Sequence, residues 1–159
     1  MIEQTLILLK PDAVQRGLIG RIVSRFEDAG LKLIGMKMIH IDENFSKKHY
    51  WLHLNKAFYQ SLEDFIISGP IVAMVLEGLH AVELVRKMVG GTEPRTAAPG
   101  TIRGDFSHHS HAYTDKKGIS IKNLIHASGN LEEAKQEVAL WFKPNELFKY
   151  ETVHERHTL

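Results

Sequence analysis

The sequence predicts an α+β fold with a βαββαβ core, and three features carry that prediction. Two apolar runs, the short TLILL at 5–9 and the uninterrupted IVAMVL at 71–76, read as buried strands. Around them apolar residues recur at helical spacing, as at Ile19, Ile22, Val23 and Phe26. The 159 residues are 43% hydrophobic and 25% charged, the balance of one globular domain rather than of a disordered chain. A chain of this length buries about 69% of its extended surface, enough for a core without a metal or disulfide staple.

Each element has its own signal. The run at 5–9 ends at Lys10-Pro11, where proline closes the strand. Ile19, Ile22, Val23 and Phe26 then mark an amphipathic helix, with Gly30 as its C′ residue. Residues 31–41 are apolar on both parities, the pattern of a long strand covered on two faces. Ser46 opens a helical stretch to Leu54, and Phe58, Leu62, Phe65 and Ile66 continue it until Gly69-Pro70. The run at 71–76 is the central strand. Ala81, Leu84, Val85 and Met88 mark a helix ended by Gly90-Gly91. From 91 to 123 the pattern is loop-like, punctuated by Pro94, Pro99, Gly100, Gly104 and Gly118. Residues 123–127 read as a last short strand, and Leu131, Ala134, Val138 and Trp141 as a final helix before Pro144. Without the inserted helical pair and the final helix the order is βαββαβ. That is a ferredoxin-like antiparallel sheet with added helices and a long loop before the last strand. No repeat or linker divides the chain, so a single domain over 1–159 is expected, with its core at about 3–144 and a C-terminal tail at 145–159.

Composition excludes several functions. No run of about 18 apolar residues is present, so no transmembrane helix is expected, and the acidic start Met1-Ile2-Glu3-Gln4 is not a signal peptide. Zero cysteines excludes a disulfide scaffold, a thiol nucleophile and a cysteine-ligated metal, and fits a cytoplasmic protein. The net charge of +1, from 20 basic and 19 acidic residues, argues against nucleic acid as the main partner. Ten histidines stand out instead.

His126 ends the last short strand, where a histidine is either structural or chemical. Glu137 flanks the apolar stripe of the final helix, about 60° from Ala134 and about 40° from Trp141. It is either a solvated edge residue or the acid that holds an imidazole in one tautomer. Lys10, Arg86, Thr92 and Arg103 together could clamp a polyphosphate. The glycines flanking Arg103 would let a backbone approach an anion. Neither G-x-x-x-x-G-K-[ST] nor G-x-G-x-x-G occurs, so nucleotide binding here would not use a P-loop.

Four ordered segments add a resemblance: Lys10-Pro-Asp-Ala-Val-Gln-Arg-Gly17, Ser68-Gly-Pro-Ile-Val-Ala-Met-Val75, Pro99-Gly-Thr-Ile-Arg-Gly-Asp-Phe106 and Asn123-Leu-Ile-His-Ala-Ser128. With their spacing they resemble the nucleoside diphosphate kinase family across nearly the whole chain. The resemblance implies transfer of the terminal phosphoryl group of a nucleoside triphosphate to a nucleoside diphosphate, with broad base specificity. The implied route is ping-pong through a phosphohistidine on His126, with Mg²⁺ on the nucleotide phosphates. By the same resemblance Glu137 orients His126, Ser128 supports Glu137, and Tyr50 lies beside the nucleophile. Lys10 and Asn123 reach the sugar hydroxyls, Lys10 also nearing the transferred phosphoryl. Arg86, Thr92 and Arg103 hold the diphosphate, and His53 contacts phosphate. Phe58 stacks on the base with Leu62 beside it; its helical spacing with Leu62 and Phe65 also allows a core role. A homo-hexamer is implied, with a homo-tetramer as the alternative.

Two departures from the family pattern stand out. Gly129 follows the motif serine where aspartate is usual. The segment between Phe106 and Asn123 is longer than usual and carries Ser107-His-His-Ser-His111. Its histidines read as an exposed polar loop or as a metal site, and the segment as one able to alter assembly or access.

Overall fold

The computed structural model describes residues 1–159. Its four strands, β1 (Ile2–Leu9), β2 (Lys32–Ile39), β3 (Ile71–Leu79) and β4 (Ile125–Ala127), form one sheet in the order β2-β3-β1-β4. Every neighbouring pair is antiparallel, which is the βαββαβ arrangement that the element order predicts.

Both faces of the sheet's centre are buried, which explains why β1 is apolar through Leu6–Leu9 and β3 through Ile71–Leu76. Ile7 and Leu9 of β1 and Val72, Met74 and Leu76 of β3 point to one core. There they meet Ile22 and Phe26 of α2 (Ile19–Asp28) and Val85 and Val89 of α5 (Ala81–Val89). Leu6, Leu8, Ala73 and Val75 point to the other. That second core contains Ile66 of α4 (Tyr59–Ile66) and Val138 and Trp141 of α8 (Leu131–Trp141). Between these elements lie α1 (Pro11–Gln15), with proline at its first turn, and α3 (Glu43–His49).

Three local readings change. β2 is not covered on both faces: it is an edge strand, and Met36 and Met38 are 45% and 60% exposed. The helix read from Ser46 to Leu54 starts earlier and breaks. Asp42 accepts a hydrogen bond from the Phe45 N–H at 2.8 Å, and after His49 only a 3-10 turn over Trp51–His53 follows. The long loop before β4 is partly helical, with α6 (Ile102–Phe106) and α7 (His111–Lys117). Thr101 and Ser110 cap these helices, and Gly118 ends α7 at φ +63°. Neither helix is long enough to show an apolar stripe. The tail reaches a short α9 (Glu155–Thr158), where Glu155 pairs with Lys32 at 2.8 Å.

Candidate active site

Antiparallel pairing puts His126 opposite Leu8 of β1. Its neighbours Ile125 and Ala127 fill the α2–α5 core, so alternation turns His126 to the other face, toward α8. There Ala134, Val138 and Trp141 anchor α8 in the core, and Glu137 emerges beside them. The His126 Nε2 lies 3.0 Å from both Glu137 carboxylate oxygens. The Ser128 hydroxyl donates to the same carboxylate at 2.6 Å and accepts the Leu6 N–H at 3.2 Å. Burial alone would raise the Glu137 pKa, but the hydrogen bonds from His126 and Ser128 outweigh it and hold the group below the usual carboxylate range. An ionised Glu137 takes the Nε2–H, which leaves Nδ1 of His126 with its lone pair.

His126 opens into a cleft of about 650 Å³. Lys10, Tyr50, His53, Phe58, Leu62, Arg86, Thr92, Arg103 and Asn123 line it with His126. Ser128 and Glu137 stand behind the histidine rather than in the wall. The structure thus brings together all twelve residues singled out from the sequence. Phe58 is 51% exposed at the start of α4, so its ring belongs to the cleft rather than to the core.

The cationic wall is built on backbone. Arg103 donates to the carbonyls of Gly90 at 3.0 Å, Asn123 at 3.2 Å and Ile125 at 2.6 Å. Lys10 donates from Nζ to Asn123 Oδ1 at 2.8 Å, and Asn123 donates in turn to the Thr92 carbonyl at 2.9 Å. Burial, aided by the Arg103 charge and opposed by Asp12, lowers the Lys10 pKa to about 8. Burial and the neighbouring Arg86 lower Arg103 to about 10. Such strained cations gain most from an incoming anion. The glycines around Arg103 serve the fold rather than an anion: Gly100 turns the chain at φ +89°, and Gly104 lies directly against the Ala98 carbonyl.

Two supporting residues were missed. Asp12, 7% exposed, accepts the Leu124 N–H at 3.1 Å and so holds Leu124 at φ +72° between Asn123 and His126. That conformation strains a branched side chain. The buried His49 packs edge-on to His126 with ring centroids 4.7 Å apart, and Trp141 Nε1–H donates to its Nδ1 at 3.1 Å. Burial lowers its pKa to about 3, so it stays neutral. Asp12 sits in the quoted Lys10-Pro-Asp segment, but a lone acid there carries no signal of its loop contact. Nothing in the pattern marks His49.

Donor atoms of His49, His126 and Glu137 lie within 4.8 Å of one another, a spacing compatible with a metal. The hydrogen bonds point elsewhere. The Trp141 donor assigns the His49 proton to Nε2, and Glu137 assigns that of His126 to Nε2, so those nitrogens present protons rather than lone pairs. The His108–His111 run builds no metal cluster either, and His109 Nδ1 accepts the Lys122 N–H at 3.1 Å.

Known proteins match this architecture. The family model for nucleoside diphosphate kinase matches residues 3–147. A nucleoside diphosphate kinase of Pyrococcus horikoshii is 55% identical over 148 residues, covering 93% of this chain and 90% of its own length. That of Borreliella burgdorferi is 48% identical over 155 residues, covering 94% and 93%. A solved structure described as a transition-state mimic of the Borrelia burgdorferi enzyme with vanadate and ADP aligns with TM-score 0.95 at 47% identity, covering 99% of this chain and 96% of that one. A Halobacterium salinarum nucleoside diphosphate kinase in complex with CDP aligns with TM-score 0.89 at 41% identity, covering 100% and 99%. On its fold, its histidine-centred cleft and these matches, the chain belongs to the nucleoside diphosphate kinase family.

Proposed function

We propose that this chain moves the γ-phosphoryl group of a nucleoside triphosphate to a nucleoside diphosphate through a phosphohistidine on His126. The single observation that carries the reading is the Ser128–Glu137–His126 chain behind a cleft lined with cations. It fixes the imidazole with Nδ1 as the free nucleophile. The Nδ1 lone pair attacks the γ-phosphorus, an N–P bond forms, the bond to the bridging oxygen breaks, and the nucleoside diphosphate leaves. A second nucleoside diphosphate then attacks with a terminal β-phosphate oxygen, and the N–P bond breaks. As Nδ1 loses its lone pair to phosphorus the ring becomes cationic, and ionised Glu137 stabilises that charge without moving.

Lys10, Arg86 and Arg103 neutralise the phosphate oxygens, Thr92 adds a hydroxyl, and His53 adds a ring nitrogen near them. Asn123, bridged to Lys10 and Thr92, meets the sugar hydroxyls. Tyr50, its hydroxyl buried and without a partner, supports the His49–His126 side of the cleft. Phe58 offers its ring, flanked by Leu62, as a stacking platform, and since every base has a π-face the base specificity is broad. The relatives with ADP and with CDP are compatible with such tolerance.

The cleft presents cations and hydroxyls to phosphates and no cage of carboxylates, which suits Mg²⁺ carried in on the nucleotide. There it would draw charge from the phosphate oxygens. We further propose a single catalytic domain over 1–159, a cytoplasmic location and assembly as a homo-hexamer. No helix is long and apolar enough to cross a membrane. Exposed apolar side chains such as Ile2 and Leu131, at 55% and 44%, favour assembly. Light scattering giving six times the chain mass supports the hexamer, and four times assigns the tetramer.

Isotope exchange tests the reaction. With labelled ADP and ATP as the only nucleotides, the protein should exchange label between them, and double-reciprocal plots against a second acceptor should be parallel. Intersecting lines without exchange would replace the phosphoenzyme by direct transfer.

A further inference from the structure

The segment between α6 and β4 forms a wall of the cleft whose polar groups the reaction does not use. It is held at both ends. The Arg95 N–H donates to the His109 carbonyl at 3.1 Å, the His111 N–H to Glu93 Oε1 at 3.2 Å, and the Ser107 hydroxyl to the Lys122 carbonyl at 3.1 Å. Between these ties α7 places His111, Thr114 and Asp115 along the cleft. They are spaced i, i+3 and i+4, one face of the helix. Thr114 is 2% exposed and seats the helix, while Asp115 stands in the open.

Charge makes Asp115 informative. The cleft is lined by two carboxylates, Asp115 and Glu133. Glu133 is occupied, accepting the Gly129 N–H at 3.0 Å and the Asn130 side-chain amide at 2.8 Å. The Asp115 side chain accepts no hydrogen bond within the chain and forms no ion pair. Beside a polyphosphate a free carboxylate repels the ligand, so its favourable place is against the end of the nucleotide that carries donors. The cationic clamp lies at the His126 end, whereas Phe58 and Leu62 provide the base platform in the same cleft.

We propose that Asp115 reads the edge of the base, accepting a hydrogen bond from an amino-bearing nucleobase. Guanine, adenine and cytosine present such a donor. Uracil and thymine carry no amino group: their exocyclic groups are carbonyl oxygens, which a carboxylate rejects, and their one edge donor is the ring N3–H between them. The inference rests on the phosphohistidine reading and adds a base bias to an otherwise tolerant platform.

The cleanest comparison is CDP against UDP, in which the 4-amino group of the ring becomes a carbonyl and N3 gains a hydrogen. Full-length protein is phosphorylated with ATP and Mg²⁺, freed of nucleotide, and discharged by each acceptor in a quenched-flow measurement. The ratio of CDP to UDP discharge should fall about five-fold in Asp115→Ala, through loss with CDP. Asp115→Asn, whose amide can donate to the uracil carbonyl, should raise discharge by UDP. An equal change with both acceptors would assign Asp115 to the sugar or to general electrostatics and overturn the proposal, as would no change. If no phosphoenzyme forms, the reaction reading fails instead, and the CDP-to-UDP binding ratio of the same variants still decides the role of Asp115.

Discussion

Lys10 carries the pH dependence at the scale of a single residue. Its folded pKa of about 8 lies below the ordinary lysine value of 10.5, because burial disfavours the charged form. In the free protein this group costs stability fully below about pH 8, and the cost disappears above 10.5. A bound phosphate reverses that preference by demanding the charge. The value of kcat/KM should therefore decline above about pH 8, through KM. Lys10→Arg, charged throughout, should lose that limb while lowering the plateau, and an unchanged profile would assign the limb elsewhere. Glu137 acts at the other end. Its folded pKa lies below the ordinary 4.5, so its contribution to stability is present above about 4.5 and is lost as pH falls through the depressed native value. Glu137→Gln should flatten that part of an acid-denaturation curve. Asp12 has a positioning role through Leu124. Asp12→Ala leaves the Leu124 N–H without a partner, and denaturant titration should show a loss of about 1–3 kcal/mol. KM should rise as Asn123 drifts.

Among the elements, α6 is the piece that aims the clamp. Its Thr101 cap accepts the Gly104 N–H at 3.1 Å, and Arg103 leaves it to meet three carbonyls. Gly104 is pressed against the Ala98 carbonyl, where a Cβ has no room. Gly104→Ala should shift α6, cost about 1–3 kcal/mol by overpacking, and lower kcat/KM by about ten-fold or more. Thermal unfolding and steady-state kinetics together would check it, and native values for both would dismiss the close contact. This helix also marks the limit of what the sequence made legible. β1, β3, α2, α5 and α8 were readable because each has a long apolar run or a repeated 3.6-residue stripe buried in one of the two cores. Glu137 could be put on the flank of α8 from the spacing of Ala134, Val138 and Trp141 alone. The helices α6 and α7 could not be read, since five and seven residues held by caps show no period. Nor could the exposed outer part of β2, because methionine patterns look alike at an edge and in a core.

At the scale of the molecule, one sheet with two cores explains why a histidine on a three-residue strand becomes reactive. β4 is pinned to β1, its odd positions are buried under α2 and α5, and His126 is driven toward α8 without loop freedom. The cations arrive from α5, α6 and the end of β1, so the cleft exists only when the whole fold does. No single segment announces this convergence. Its meaning became legible in the sequence through four ordered motifs, not through any one lysine or arginine. The folded chain is expected to phosphorylate itself and then give the group away, and intact mass reads this directly. After incubation with ATP and Mg²⁺ the protein should gain one acid-labile phosphoryl group, lose it to GDP with formation of GTP, and fail to gain it as His126→Ala. A chain that binds ATP yet gains no mass, or that gains it equally without His126, would contradict the account.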